Sequence, residues 1–351
     1  MVSTSSGVVE QTLNLPSGVL QEVMMKAIVY TEYGSPDVLQ LKMVEKPAPK
    51  DDEVLIRVHA ATVTTGDVNM RGFTFVPPGF GPLPRLMFGL NGPRKTILGA
   101  EVAGEIEAVG KDVTTFKPGD AVFGIDSSVA AYAEYVCRPA NGPLAIKPAN
   151  LSYQEAAAIS FGAGTALSFV RDKAKIQPGQ KVLVVGASGG VGNYVVQLAK
   201  YYGAEVTGVC STRNIEMVKS LGADHVIDYT QDDFTRDGEI YDVIIDTVYG
   251  RASFAHAKPA LKPNGVYLPV AGGPKEMFQT LWTSMRGGKK VVAGAVPEDR
   301  DDLKFLAGLI EAGEIRVVIE RSYPLEQVAE AHRYVETGRK RGSVVITVSP
   351  S

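Results

Sequence analysis

Lys181-Val-Leu-Val-Val-Gly-Ala-Ser-Gly-Gly-Val-Gly192, continued by Asn193-Tyr-Val-Val-Gln-Leu-Ala-Lys200, decides how the whole chain is read. Val182 to Val185 is an unbroken aliphatic run, as expected of a strand buried on both faces, and Val195, Val196 and Ala199 return at helical spacing after the glycines. Strand, tight turn and helix therefore follow in that order. Glycines let a backbone turn sharply and come close to a pyrophosphate, whose charge then meets the unpaired N–H groups and positive dipole of the helix N-terminus. The G-x-G-x-x-G spacing falls on Ala187, Gly189 and Gly192, with alanine in first place, and a second strand at Glu205–Cys210 stands where a βαβ unit requires one. A Gly-rich turn without a ligand is the competing reading; the length and order of the unit favour a dinucleotide.

Outward from that stretch the strands and helices alternate. Strands are expected at 181–186, 205–210, 225–228, 241–247, 265–270 and 290–296, a doubly wound parallel sheet of six strands in Rossmann order. Before it, a helix is expected across 156–170, opened by a capping box of Ser152 and Glu155. Earlier still, runs at 26–30, 39–44, 53–61, 99–110, 120–124 and 131–137, separated by Gly, Pro and Asp clusters, read as a β-barrel or sandwich. After a helix at 301–312 the chain writes strands again at 315–321 and 343–348, which should rejoin the barrel. The expected organisation is a flexible extension over 1–24, a first barrel part over 25–147, a nucleotide domain over 148–313, and a return to the barrel over 314–351.

Composition narrows the function. At 351 residues with 45% apolar content, two cores are expected. Lys and Arg number 36 against 39 Asp and Glu, a net charge of −3 with no basic stripe, so nucleic acid is an improbable partner and a small molecule a natural one. Two cysteines, Cys137 and Cys210, offer neither a disulfide framework nor a Cys-rich metal site, and a cytoplasmic location is the expectation. The first 23 residues hold Glu10 and Glu22 but no Lys or Arg, which fits no signal or transit peptide. Residues 73–95, with five prolines, four glycines and no acid, suggest a wall of an apolar substrate pocket, a peripheral membrane contact helped by Arg85, Arg94 and Lys95, or a loop packed on its own barrel.

The cofactor is decided at the end of the second strand. NAD-binding units place a carboxylate there, about 20 residues past the glycines, whereas a 2′-phosphate calls for donors and positive charge. Here stand Ser211, Thr212 and Arg213, which points to NADPH, with Tyr229 against the same phosphate or the adenine.

Taken together, Met25-Lys-Ala-Ile, Leu98-Gly-Ala-Glu-Val-Ala-Gly104, Phe116-Lys-Pro-Gly-Asp-Ala-Val-Phe-Gly124, Gly186-Ala-Ser-Gly-Gly-Val-Gly192, Leu221-Gly-Ala-Asp-His-Val-Ile-Asp-Tyr229 and Ala331-His332 resemble the medium-chain dehydrogenase/reductase superfamily. Within it they are similar to the zinc-free quinone oxidoreductase and zeta-crystallin branch. The resemblance implies an α/β protein, a GroES-like barrel plus a Rossmann domain, with nicotinamide in the cleft between them. The positions that hold catalytic zinc in alcohol dehydrogenases of the superfamily fall on Thr65, Ala100 and near Phe161, so no metal is expected. His59, His225, His256 and His332 are scattered and read as structural, as do Glu101 and Glu134.

The resemblance further implies that Ser188, Gly189, Gly190 and Val191 face the pyrophosphate, that Thr165 faces the nicotinamide amide or phosphate, and that Val248, Val270 and Gly272 line the nicotinamide half. It places Thr64 and Asp67 beside nicotinamide and substrate, Thr64 as a donor to the substrate oxygen and Asp67 either there or as a buried structural carboxylate. Many relatives carry Asn where Thr64 stands. The implied reaction is hydride transfer from NADPH to a quinone or an α,β-unsaturated carbonyl; a homodimer through 289–296 is implied as well. The alternatives are a zinc-independent alcohol dehydrogenase or carbonyl reductase, and a low-turnover NADPH-binding protein of crystallin-like or membrane-associated kind.

Overall fold

In the computed structural model the described residues are 24–74, 88, 89, 92–236, 238–248 and 253–348. The N-terminal extension and most of the 73–95 segment lie outside them. Strands β1 (Met24–Val29) and β2 (Gln40–Glu45) form an antiparallel pair. β3 (Glu53–Thr62), β4 (Glu101–Val109), β5 (Ala121–Ile125), β6 (Tyr135–Pro139) and β7 (Leu144–Ile146) follow, with helix α1 (Thr65–Gly72) after β3. Helices α2 (Tyr153–Ala157) and α3 (Ser160–Leu167) lead into β8 (Lys181–Val185), α4 (Gly192–Tyr201), β9 (Glu205–Cys210), α5 (Ile215–Ser220), β10 (His225–Asp228) and β11 (Tyr241–Asp246). Then come α6 (Phe254–Ala257), β12 (Leu261–Pro269), α7 (Pro274–Arg286), β13 (Lys290–Val291), α8 (Arg300–Glu311), β14 (Ile319–Pro324), α9 (Val328–Glu336) and β15 (Ser343–Thr347).

The parallel sheet runs β10-β9-β8-β11-β12-β13, which in chain order is 3-2-1-4-5-6. The order reverses between β8 and β11, and open sheets of this kind take their ligands at such a switch point, at the carboxyl ends of the strands. The aliphatic run of β8 is divided strictly by the pleat. Val182 and Val184 pack into one core with α3, α4 and α8, while Leu183 and Val185 pack into another with Ile244, Leu261 and Tyr267. Each fully buried aliphatic side chain contributes about 1.5–3 kcal/mol relative to exposure, so both faces of the strand are held.

The second sheet runs β14-β15-β3-β4-β5-β7, with β6 also paired to β3. One edge of β3 is shared, since Glu53 to Arg57 pair with β6 and Ala60 to Thr62 with β15. The last strand of the chain thus does rejoin the first β-rich region. The two halves also share a core, because Ala60, Ala103, Phe123, Ala145 and Val345 of this sheet cluster with α2, α3 and α4.

Three sequence expectations are corrected. The helix across 156–170 is broken after Ala157: Ala158 N–H closes α2 on Gln154 and Glu155 carbonyls, and the Glu101 carboxylate takes Phe161 N–H at 2.6 Å to start α3, which continues as a π-helical turn over Ser168–Lys173. The strand at 290–296 is only Lys290–Val291: Val292 N–H still reaches Tyr267 O, but Ala293 N–H turns to the Thr280 hydroxyl of α7 at 3.1 Å and Gly294 adopts φ +155°. The strand at 315–321 begins at Ile319, because the Gln197 side chain of α4 bonds both the N–H and the C=O of Arg316.

Candidate active site

The turn after β8 is set by a glycine outside the fingerprint spacing. Gly186 adopts φ +78°, and Gly189 N–H closes the turn on its carbonyl at 2.9 Å. A Cβ on Gly192 would stand 2.1 Å from Gly186 O, so this position admits hydrogen alone. Ala187 is tolerated in the first place of the spacing because its methyl fills the space left by Gly208 of β9. α4 then begins at Gly192 with no side-chain cap, and Asn193 Nδ2 ties the carbonyls of Gly189 and Gly190 at 2.8 and 3.0 Å. Those carbonyls point inward to Asn193, leaving the N-terminal end of the helix to meet an anion.

The structure brings the remaining expected cofactor residues to the same edge. Ser211 and Arg213 follow β9, Tyr229 follows β10 with its N–H on Cys210 O at 3.1 Å, Val248 follows β11, and Val270 and Gly272 follow β12. Val248 is held by its N–H bond to Asp246 Oδ1 at 2.9 Å, and Tyr267 donates to Asp246 Oδ2 at 2.7 Å. Burial pushes the Asp246 carboxyl upward and these two donors pull it back. Thr165 is buried in α3, a helix that meets the turn where a Cβ on Gly162 would stand 2.6 Å from Gly190 O.

Four contributors were not singled out from the sequence. The segment before β15 folds over the turn: Gly342 N–H donates to Ser188 O at 2.9 Å, and Arg213 Nη2 donates to Arg339 O at 2.5 Å. Lys340 reaches further in. Its side chain is half-buried, its ammonium donating to Gly342 O at 3.2 Å and lying 2.8 Å from where a Cβ on Gly190 would be. Desolvation drives its pKa below the ordinary lysine range, and the carboxylates of Glu101, Glu320 and Asp67 pull it back. A lysine ammonium beside Gly190, in a turn where Gly192 has no room for a side chain, is a fit for a phosphate group. The basic run Arg339-Lys340-Arg341 was the available signal. Asn214 joins Ser188 and Ser211 through its amide. Asp228, whose carboxyl is lowered first by the Thr212 hydroxyl, pairs with Cys210 beside this site and spends its oxygens on Thr212 and Thr230.

On the opposite wall Thr64 and Asp67 do come together, as the capping box of α1. Thr64 N–H and hydroxyl both donate to Asp67 Oδ2, at 2.8 and 2.6 Å, and Asp67 N–H returns a bond to Thr64 Oγ1 at 3.2 Å. Gly99 N–H donates to the other carboxylate oxygen at 3.2 Å. The single hydroxyl proton of Thr64 is therefore held by Asp67. Burial raises the Asp67 carboxyl, against these hydrogen bonds.

Glu101, buried beside it, accepts from the Thr62 hydroxyl and from Phe161 N–H. Burial pushes its carboxyl up to about 7. Glu101 thus joins β4 to the start of α3 across the cleft. Glu134 accepts from Lys26 N–H at 2.7 Å.

The histidines stand apart. His59 stacks on Tyr153, His225 and His256 lie near single surface carboxylates, and burial drives His332 down to about 3. Among the described residues no three His, Cys, Asp or Glu side chains gather to hold a metal ion.

Comparison with known proteins agrees with this architecture. An alcohol dehydrogenase GroES-like domain model matches residues 50–148, and a zinc-binding dehydrogenase model matches residues 221–346. The chain is 35% identical to the 2-methylene-furan-3-one reductase of Solanum lycopersicum, over 93% of this chain and 80% of that protein. It is 32% identical to the chloroplastic NADPH-dependent alkenal/one oxidoreductase of Arabidopsis thaliana, over 99% and 86%. The solved quinone oxidoreductase from Coxiella burnetii superposes with a TM-score of 0.82 at 30% identity, covering 93% of this chain and 100% of that one.

Proposed function

This chain belongs to the medium-chain dehydrogenase/reductase superfamily, in its quinone oxidoreductase-like branch, and from that premise we propose that it is an NADPH-dependent, zinc-independent reductase of quinones or α,β-unsaturated carbonyls. The observation that carries this reading is the lining of the phosphate site. Lys340 lies over Gly190, where either nicotinamide cofactor would set its pyrophosphate, and Ser211 and Arg213 follow β9 where an NAD-binding unit would set a carboxylate. Bound there, the nicotinamide supplies a hydride to the electron-poor carbon of the acceptor.

The chain's own residues do the positioning. Lys340 and Arg213 hold phosphate charge, Ser188 and Ser211 offer hydroxyl donors, and the Asp246 carboxylate aims Val248 at the switch point. Thr65, Ala100 and Phe161, at the three zinc positions, offer no ligand set, since an alanine and a phenylalanine bind no metal. An alcohol substrate would need a Lewis acid for its alkoxide. A conjugated acceptor spreads the incoming charge over its own π-system and needs less. With the Thr64 proton held on Asp67, the acceptor oxygen takes its proton from water reaching the cleft.

A homodimer belongs to the same proposal. β13 is a two-residue edge, and the neighbouring α7 exposes Met277, Phe278, Leu281, Trp282 and Met285 on one face. Steady-state NADPH oxidation with a panel of quinones, enones, aldehydes and nitroarenes tests the reaction. Turnover confined to quinones and enones is the expected result; tight NADPH binding without turnover of any acceptor would defeat the enzyme reading. Liposome sedimentation with and without 73–95 tests the membrane alternative, which unchanged partitioning would dismiss.

A further inference from the structure

Asn214 is buried at the end of a 3-10 turn, Thr212–Asn214, with no role in the sequence pattern of a dinucleotide site. Its amide nitrogen donates to Ser188 Oγ at 2.9 Å and to Ser211 Oγ at 3.3 Å, while its carbonyl oxygen has no partner among the described residues. Ser188 lies in the turn between β8 and α4; Ser211 lies at the end of β9. One side chain thus touches both hydroxyls that flank the phosphate site.

The direction of those two bonds matters. A serine hydroxyl has one proton, and an oxygen that already accepts from an amide keeps that proton for another acceptor. Both N–H groups of Asn214 are used in this orientation, and one acceptor is left unmet. Exchanging oxygen and nitrogen would leave both N–H groups buried without acceptors, the poorer arrangement. With the amide donating, the Ser188 and Ser211 protons both face outward as donors, each strengthened because its own oxygen is accepting.

We propose that Asn214 is a positioning residue that sets the donor polarity of the phosphate site, turning Ser188 toward the pyrophosphate and Ser211 toward the adenosine 2′-phosphate. This rests on the NADPH reading above and extends it, because the same geometry explains how two hydroxyls on different loops are kept as donors together. Asn214→Asp keeps the size and reverses the polarity: the carboxylate accepts both serine protons and adds negative charge.

The test is a calorimetric titration of the full chain with NADPH, NADH, 2′,5′-ADP and 5′-ADP, for the wild type and for Asn214→Asp, Asn214→Ala, Ser188→Ala/Ser211→Ala and the triple variant. Thermal melts and circular dichroism accompany each variant. Asn214→Asp is expected to weaken NADPH roughly ten- to a hundredfold, the range for losing hydrogen bonds to a charged group, and 2′,5′-ADP more than 5′-ADP. Asn214→Ala, which tests the idea should the aspartate variant fold poorly, is expected to weaken NADPH several-fold in the wild-type background. In the double-serine background it should do nothing further, because its effect passes through those hydroxyls.

Wild-type NADPH affinity in both Asn214 variants would overturn the proposal, and so would an additive loss in the triple variant, which marks a merely structural role. A wild type that grips NADH as tightly as NADPH would instead overturn the 2′-phosphate reading. The Asn214 alignment would then stand or fall on 5′-ADP alone.

Discussion

Replacing Lys340 by methionine should move stability and cofactor affinity in opposite directions. Methionine keeps most of the length and apolar stem of lysine and removes the charge. In the free protein the ammonium has one acceptor among the described residues, Gly342 O at 3.2 Å, and desolvation lowers its pKa. A charge so held is strained toward neutrality, which is the direction of its lowered pKa. Lys340→Met relieves that desolvation, and the melting temperature of the ligand-free protein should hold or rise by a few degrees.

With NADPH present the same change removes a charge-assisted bond over Gly190. Hydrogen bonds to charged groups contribute about 1.5–3 kcal/mol, which corresponds to a loss of about ten- to 150-fold in affinity. The pyrophosphate is common to both nicotinamide cofactors, so NADH should weaken by a similar factor. Fluorescence titration of both cofactors and a melt without ligand give the three numbers. Unchanged affinity for both cofactors would refute the placement of a phosphate under Lys340, whatever the melt shows.

Other substitutions probe the rest of the site. Glu101 has its folded pKa raised from 4.5 to about 7, so the stability it allows is fully present below about pH 4.5 and is lost as pH rises through 7. At about 1.4 kcal/mol per pH unit this amounts to about 3.5 kcal/mol, and Glu101→Gln should flatten the difference between melts at pH 5 and pH 8 by most of that; parallel pH profiles of variant and wild type would contradict it. Gly192→Ala forces a methyl to within 2.1 Å of Gly186 O and should destabilise the fold by about 1–3 kcal/mol while abolishing NADPH binding. Gly308→Ala, in open space on α8, should instead gain about 0.5–1 kcal/mol, so a similar loss at both glycines in chemical denaturation would show that the turn is not special. Trp282→Glu on α7 should convert the proposed dimer to monomer in light scattering; an unchanged mass would place the interface elsewhere.

Much of the fold was legible because it is written in local, periodic terms. The aliphatic run of β8, the glycines after it and the helical spacing of α4 are properties of neighbouring residues, and so is the capping box of Ser152 and Glu155, which the structure reproduces with bonds of 2.7 to 3.2 Å. The alternation of strands and helices then forces a parallel sheet, since a parallel strand can be reached only by a crossover. What periodicity does not carry is where an element stops for a tertiary reason. The break before α3 depends on a carboxylate from β4, and the late start of β14 depends on the Gln197 side chain.

For the site the division is similar. The residues at the strand ends, from Ser188 to Gly272, lie at one edge because a doubly wound sheet delivers every such loop there; their place in a cofactor site is what the family resemblance implies. That Thr65, Ala100 and the neighbourhood of Phe161 are zinc positions in other members came from the family resemblance, to which the sequence added the residue types that stand there. Lys340, 150 positions from the glycine it covers, and Asn214, which joins two loops through one amide, could not be read so. The place of Lys340 exists only once β15 has paired with β3 and carried the preceding segment across the turn, and that of Asn214 only once β9 lies beside β8. Backbone conformation is a local choice and leaves its mark in sequence. The distance between a charge and the place it serves is set by the folded path of the chain between them.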